Sequence, residues 1–194
     1  QSMREAENKK QFGVILCINL DNFKALNDTE GHETGDRLLQ QVATRLLECV
    51  GANHMVARLG SDEFIVLPNQ LDASETDTIQ QAEKTAKYIL QTLAQPYLFA
   101  GSEYRSSASI GISVFGLKAH ENVQDPIKRA DMALSEAKNY GRNTYRFFDP
   151  LIQSQIQQRA EIDAGLRQAL EKNQLVLYYQ PQVNGAQQVT GVEA

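Results

Sequence analysis

The sequence predicts an α+β domain over residues 12–148, with helices flanking an antiparallel-rich central sheet. Short β-branched runs lie close enough together to pair as hairpins. Other segments carry apolar residues at helical spacing. Few strand pairs are separated by the helix-length crossover that a parallel sheet requires.

The first run, FGVILCINL at residues 12–20, is short and almost unbroken in its apolar character, and reads as a buried central strand. DNFKALNDTEGHETGD follows, dense in Asp, Asn, Gly and Lys, and reads as a loop or short helix outside the core. From Arg37, the residues Leu38, Leu39, Val42, Leu46 and Cys49 keep helical spacing, and Gly51 is placed to end that helix. Residues 55–59 and 63–67 read as a β-hairpin around Gly60-Ser61-Asp62. Ser74-Glu75-Thr76-Asp77 resembles a capping box, Ile79, Ala82, Ala86, Ile89 and Leu93 continue one helical face, and Pro96 closes it. Strands are expected at 97–99 and 106–114, around a turn at Gly101. Asp125-Pro126 reads as a cap followed by proline at the first helical position. Ile127, Ala130, Leu134 and Ala137 then give the buried stripe, Gly141 ends it, and 144–148 is a short last strand.

The chain has 194 residues, 42% hydrophobic and 22% charged, so its core needs no disulfide or metal staple. No run of 18 uncharged apolar residues exists to span a membrane, and QSMREAENKK has no signal-peptide core. A formal net charge of -5 argues against a duplex nucleic acid partner but leaves room for a nucleotide pocket, which needs only a few local cations. Cys17 and Cys49 sit in apolar runs and read as core thiols, which suits a reducing, cytoplasmic setting. His32, His54 and His120 have no metal-site spacing.

Charge geometry suggests where chemistry could lie. Asp21, Asp28 and Asp36 follow the central strand, and Asp62 and Glu63 sit at the hairpin tip. Placed side by side, the two groups could gather carboxylates around a cation. Lys138 and Arg142 fall on one face of a helix end and could hold phosphate oxygens, while Gly60 would let a nucleotide approach the backbone. Each feature also has a plain structural reading: a solvated turn at Asp62-Glu63, and a helix C-terminus that favours cations at Lys138 and Arg142.

In order, however, the segments match a family. NLDNFKALNDTEGHETGD resembles D-x-D-x-F-K-x-x-N-D-x-x-G-H-x-x-G-D, RLGSDEF resembles R-x-G-G-D-E-F, SASIGIS resembles the strand after the long helix, and ADMALSEAKNYGRNTYRFF resembles A-D-x-A-L-Y-x-A-K-x-x-G-R-N. These are the marks of the GGDEF domain, the diguanylate cyclase module of bacterial cyclic-di-GMP signalling. The family's opening L-T-G-L-P-N-R is missing. The resemblance implies a nucleotide cyclase, polymerase-palm-like fold and a metal-assisted reaction joining two GTP molecules across two facing domains. It implies that Asn27 and Asp36 bond the guanine edge. Phosphates would be held by Lys24, the backbone at Asn22 and Phe23, Lys138 and Arg142, with Gly60 and Ser61 lining the nucleotide's path. Asp62 and the Leu20 carbonyl would bind Mg2+ or Mn2+, and Glu63 would serve at the reacting hydroxyl or the metal.

Two departures bear on activity. Asn19 stands where the family has its metal-bridging aspartate, and an amide offers only a neutral oxygen, so the cation would be weakly held. Loss of one such group commonly costs about 10²- to 10³-fold in rate. Ser61 replaces the second glycine of the signature, with a side chain that would crowd the nucleotide and resist a positive φ. Ser135 replaces a tyrosine as a packing change. Gly51-Ala52-Asn53-His54 stands where the product-inhibition site has Arg-x-x-Asp, so that site is expected to be absent.

Residues 1–150 thus form the expected GGDEF domain. Residues 151–194 read as a Gln-rich helix and a strand at 175–179, left without partners by a cut edge after a turn at Asn184-Gly185. EIDAGLRQALEKNQLVLYYQPQVNGAQQVTGVEA resembles the start of an EAL cyclic-di-GMP phosphodiesterase domain through Tyr179-Gln180-Pro181 and Glu193-Ala194. The resemblance makes Glu193 a metal ligand whose companions lie beyond this chain. Three functions follow: a GTP-binding regulatory domain with little cyclase activity, a working cyclase acting as a homodimer, or a non-binding dimerisation spacer.

Overall fold

The computed structural model describes Ala6 and residues 9–51, 54–69, 71–99, 102–116, 122, 124–150, 162, 165–166, 168–169, 172, 174, 177–185 and 187–193. The chain divides into two compact units, Gln1–Asp149 and Pro150–Ala194. In chain order the first holds β1 (Gly13–Leu20), α1 (Phe23–Glu30), α2 (His32–Val50), β2 (Met55–Arg58), β3 (Glu63–Leu67), α3 (Glu75–Leu93), β4 (Tyr97–Phe99), β5 (Ser102–Tyr104), β6 (Ala108–Phe115), α4 (Gln124–Asn139) and β7 (Tyr145–Phe147).

Every residue of β1 is buried, because β1 lies mid-sheet with both faces covered. The order is β2-β3-β1-β6-β7, antiparallel except for β6 and β7, which pair in parallel across the α4 crossover. Side chains alternate across the strand. Leu16, Ile18 and Leu20 join Leu38, Val42 and Leu46 of α2 and Ala86, Ile89 and Leu93 of α3 in the larger core. Ile15 and Cys17 face the other way, against Ile65 and the Ala130 and Leu134 stripe of α4. Gly111 of β6 is where α4 comes closest: a Cβ there would lie 2.0 Å from the Ala130 carbonyl oxygen and 2.2 Å from the Leu134 nitrogen.

The α+β class expected from the sequence is the one observed, with several boundaries moved. The polar segment after β1 is two helices. They are separated only by Gly31 at φ 85, so α2 starts at His32 and not Arg37. The segment also enters the core, since Asp21 and Phe23 are 7% and 6% exposed. An unexpected strand, β5, pairs with β4 in a separate ribbon, so the strand read at 106–114 begins at Ala108. Gly101 lies outside the described residues. Helix α4 begins before Asp125. Asn122 accepts from the Gln124 amide at 3.1 Å and so takes the capping part expected of Asp125. Ser74 does cap α3, accepting from the Asp77 amide at 3.2 Å. Gly51 and Gly141, at φ 77 and 102, end their helices as expected.

The second unit holds one described hairpin, β8 (Gln180–Val183) with β9 (Val189–Glu193) around Asn184-Gly185. The strand expected at 175–179 is displaced. Leu177, Tyr178 and Tyr179 lie outside the hairpin, which starts with Gln180 opposite Glu193. Leu175, Val176 and the Gln-rich stretch 151–161 lie outside the described residues.

Candidate functional site

The β2–β3 hairpin brings its tip to the end of β1. Asn19 stands in register with Glu63, and the Leu20 amide donates to the Asp62 carbonyl at 3.1 Å. Asp62, Glu63, Asn19 and Leu20 therefore share one end of the sheet, as the sequence suggested. Arg58 braces the tip, its guanidinium donating to the Gly60 and Ser61 carbonyls at 2.9 and 2.8 Å. Neither Gly60 nor Ser61 has a positive φ, so the strain expected at Ser61 does not arise. Ser61 is exposed, and its hydroxyl donates to Asp62 Oδ1 at 2.9 Å. A Cβ at Gly60 would meet nothing nearer than Glu63 Oε2 at 3.5 Å, so the room over the tip is open.

The wider carboxylate cluster does not form. Among the described residues no three of His, Cys, Asp or Glu are placed to hold a metal ion. Asp21 is committed elsewhere: Ser107 and Ser109 donate to its carboxylate at 2.6 and 2.7 Å, and the Asn143 amide at 3.1 Å. Asp28 and Asp36 are exposed. Burial pushes the Cys17 thiol up to about 12, helped by the charges of Asp131 and Glu63, so Cys17 is an inert core group. Cys17 and Cys49 are both free. His54 Nδ1 accepts from the Asn69 amide at 3.1 Å, and His120 lies outside the described residues.

On the other side of β1, Asn22 at φ 57 turns the chain into α1. No side chain caps the amides that open this helix, where Phe23 is buried and Lys24 exposed. One turn on, the Asn27 carboxamide oxygen is buried without a hydrogen-bond partner. It lies against Gly35, where a Cβ would be only 1.9 Å away. Beside it, Asp36, Leu39, Ala43, Val56, Arg58 and Phe64 border a groove of about 390 Å³ running from α2 to the sheet edge.

Lys138 is in the last turn of α4, but Arg142 lies beyond its end at Asn139, so the two do not share a helix face as expected. Gly141, Arg142 and Asn143 have consecutive positive φ values of 102, 62 and 47. The two non-glycine residues each carry a cost of roughly 1 kcal/mol, which other contacts must offset. The Asn143 amide held by Asp21 is one such contact. Asp21, Ser107, Ser109, Asn143 and Arg58 as braces, and Gly35 as a spacer, are what the sequence reading missed. The alternation of Ser107 and Ser109 was their available signal.

The profile of the family described as "Diguanylate cyclase, GGDEF domain" matches residues 1–144. The chain belongs to the GGDEF family. The GGDEF domain of YfiN (TpbB) from Pseudomonas aeruginosa superposes with TM-score 0.72 at 31% identity, covering 80% of this chain and 88% of that one. The active GGEEF domain of a Vibrio cholerae diguanylate cyclase gives TM-score 0.65 at 28% identity, covering 76% and 90%. Among full-length proteins, the bifunctional diguanylate cyclase/cyclic di-GMP phosphodiesterase MucR of Pseudomonas aeruginosa is 40% identical over 100% of this chain and 27% of its own length. The cyclic di-GMP phosphodiesterase PdeR of Escherichia coli is 34% identical over 100% and 28%. The chain thus spans about a quarter of the length of these relatives.

Proposed function

We propose that this GGDEF domain binds GTP as a regulatory module, with little or no cyclase activity, and that residues 151–194 begin an EAL phosphodiesterase domain. The observation that carries the reading is Asn19, buried and in register with Glu63 at the hairpin tip. The acidic donors there are Asp62 and Glu63, and Ser61 already bonds one oxygen of Asp62. Two carboxylates with neutral oxygens from Asn19 and Leu20 do not fit a site that must hold divalent ions between two triphosphates. Mg2+ or Mn2+ would be held weakly there.

The nucleotide groups are better preserved. The unpaired Asn27 oxygen calls for a donor, and a guanine edge offers N–H groups to it and to Asp36. The uncapped start of α1, with Lys24, Lys138 and Arg142, suits phosphate oxygens. For the second unit, support comes from MucR and PdeR, whose alignments run over the whole chain and whose names include phosphodiesterase activity. Glu193 would contribute a metal ligand there. The free thiols suit a reducing cytoplasm, and among the described residues no helix is long and apolar enough to cross a membrane.

A working homodimeric cyclase is the second reading. It is favoured by the cyclase activity in MucR's name and by the unstrained fit of Ser61. Calorimetric titration with GTP and Mg2+, followed by product analysis, separates the two. The regulatory reading expects micromolar to millimolar binding and negligible turnover. The paired reversion Asn19→Asp and Ser61→Gly should then raise turnover by at least about tenfold. Cyclic di-GMP made by the unaltered chain, at a rate climbing steeply with protein concentration, would establish the cyclase. Absence of both binding and a GTP-dependent rise in Tm would leave only a spacer.

A further inference from the structure

We infer that Asp21 is a positioning residue that fixes Arg142 and the start of α1 relative to each other, a role that rests on the GTP-binding reading above. Asp21 is 7% exposed, too buried to meet a nucleotide as an open carboxylate. It accepts three hydrogen bonds: from Ser107 and Ser109 at the start of β6, and from the Asn143 amide after α4. Its own amide donates to the Ser107 carbonyl at 2.8 Å. One side chain therefore joins three segments that are distant in sequence.

Two of the three segments carry the phosphate cations of that reading. Immediately after Asp21, the left-handed Asn22 sets the direction of α1 and so of Lys24. Immediately before Asn143, Arg142 occupies a left-handed turn that a non-glycine residue leaves readily when nothing holds it. The Arg142 amide bonds the Ala137 carbonyl at 3.2 Å, which fixes the near side of the turn. The bond from the Asn143 amide to Asp21 fixes the far side. Without the carboxylate, the part-buried Asn143 amide bond is lost and the far side of the turn has no anchor, so the turn reorganises with Arg142 on it.

The role requires an acceptor oxygen more than a charge. An asparagine can place its oxygen toward Asn143 and Ser107 and its amide toward the Ser109 hydroxyl, which can turn to accept. Asp21→Asn is therefore the rescue variant and Asp21→Ala the disruptive one.

The experiment is calorimetric titration of the full chain with GTP and with guanosine, alongside thermal melting. Asp21→Ala should weaken GTP about tenfold and leave guanosine within about twofold, with Asp21→Asn recovering most of the loss. Asp21→Ala added to Arg142→Ala should weaken GTP no further than Arg142→Ala alone, because both remove the same contact. Equal loss of GTP and guanosine, additive effects, or no loss at all would overturn the role while leaving GTP binding intact. Failure of the unaltered chain to bind GTP would instead remove the reading on which it rests. If Asp21→Ala does not fold, Ser107→Ala takes its place. It strips one support from the clasping oxygen and should give a GTP-selective loss of about threefold; no selective loss there overturns the role equally.

Discussion

At Asn19 the amide solves a problem that the family's aspartate would create in a protein without a bound cation. A carboxylate at this position, 6% exposed and in register with Glu63, would meet both desolvation and a like charge. Asn19→Asp should therefore lower folding stability at pH 7 by about 1–3 kcal/mol in metal-free buffer. The added carboxylate has its folded pKa raised, so the penalty is absent below the unfolded value near 4 and grows as pH rises past it. Urea unfolding with and without Mg2+ checks this: magnesium should recover the loss in the variant and change the unaltered chain little. Cys17 gives a second residue-scale test. Burial pushes its folded pKa up to about 12 from the ordinary thiol value of 9.0. The stabilising preference for the neutral thiol is full below pH 9 and disappears between about 9 and 12. Cys17→Ala should flatten the fall in stability between pH 9 and 11 by about 2 kcal/mol, whatever offset its cavity adds. The residue scale was legible in placement where the chain keeps a patterned motif, as where Asp62 and Glu63 meet the end of β1. It was not legible at Asp21, because an acidic residue near a loop reads alike whether it binds a cation or accepts from Ser107, Ser109 and Asn143.

The elements that aim these groups owe their precision to close packing at a few points. Gly111 is one of them, since α4 lies directly on the β6 backbone there. Gly111→Ala must push back either the Ala130 carbonyl or the Leu134 amide, and should cost about 3 kcal/mol in chemical denaturation. The displacement would also carry Lys138 and the Arg142 turn with it, since α4 is one continuous helix from Gln124 to Asn139. A weaker GTP titration is therefore expected in the same variant. Periodicity revealed α2, α3 and α4 because their stripes are regular. It concealed the start of α2 because His32, Glu33 and Asp36 are exposed and look like loop composition, while the buried Gly35 offers no side chain to mark the inner face. The three-residue strand β5 was hidden for a different reason: it pairs only with β4, outside the main sheet, so neither length nor two-sided burial advertises it.

At the scale of the whole molecule, the first unit closes both faces of its sheet, whereas the described strands of the second form a single hairpin. The layered fold was readable because a fully apolar β1 requires cover on two sides, and the segments that supply it have helical stripes. The second unit was harder to read because two strands bury too little to impose a pattern, and Val183, Val189 and Val192 remain 59–64% exposed. A two-stranded ribbon of this kind is marginal alone in water. Proteolysis turns that difference into a measurement, because cleavage requires local opening and not exposure alone. Tyr88, Leu98 and Tyr140 of the first unit are 55%, 70% and 69% exposed, but Tyr88 is within α3, Leu98 within a paired strand, and Tyr140 abuts α4, with its amide bonded to Glu136. Leu177, Tyr178 and Tyr179 are 73%, 84% and 64% exposed and unpaired. Chymotrypsin at low ratio should therefore cut first at 177–179, and mass spectrometry should find the region up to Asp149 intact in the early product. First cleavage at Tyr88 or Tyr140 would mean that α3 or α4 opens more readily than the hairpin unit, contrary to the packing described.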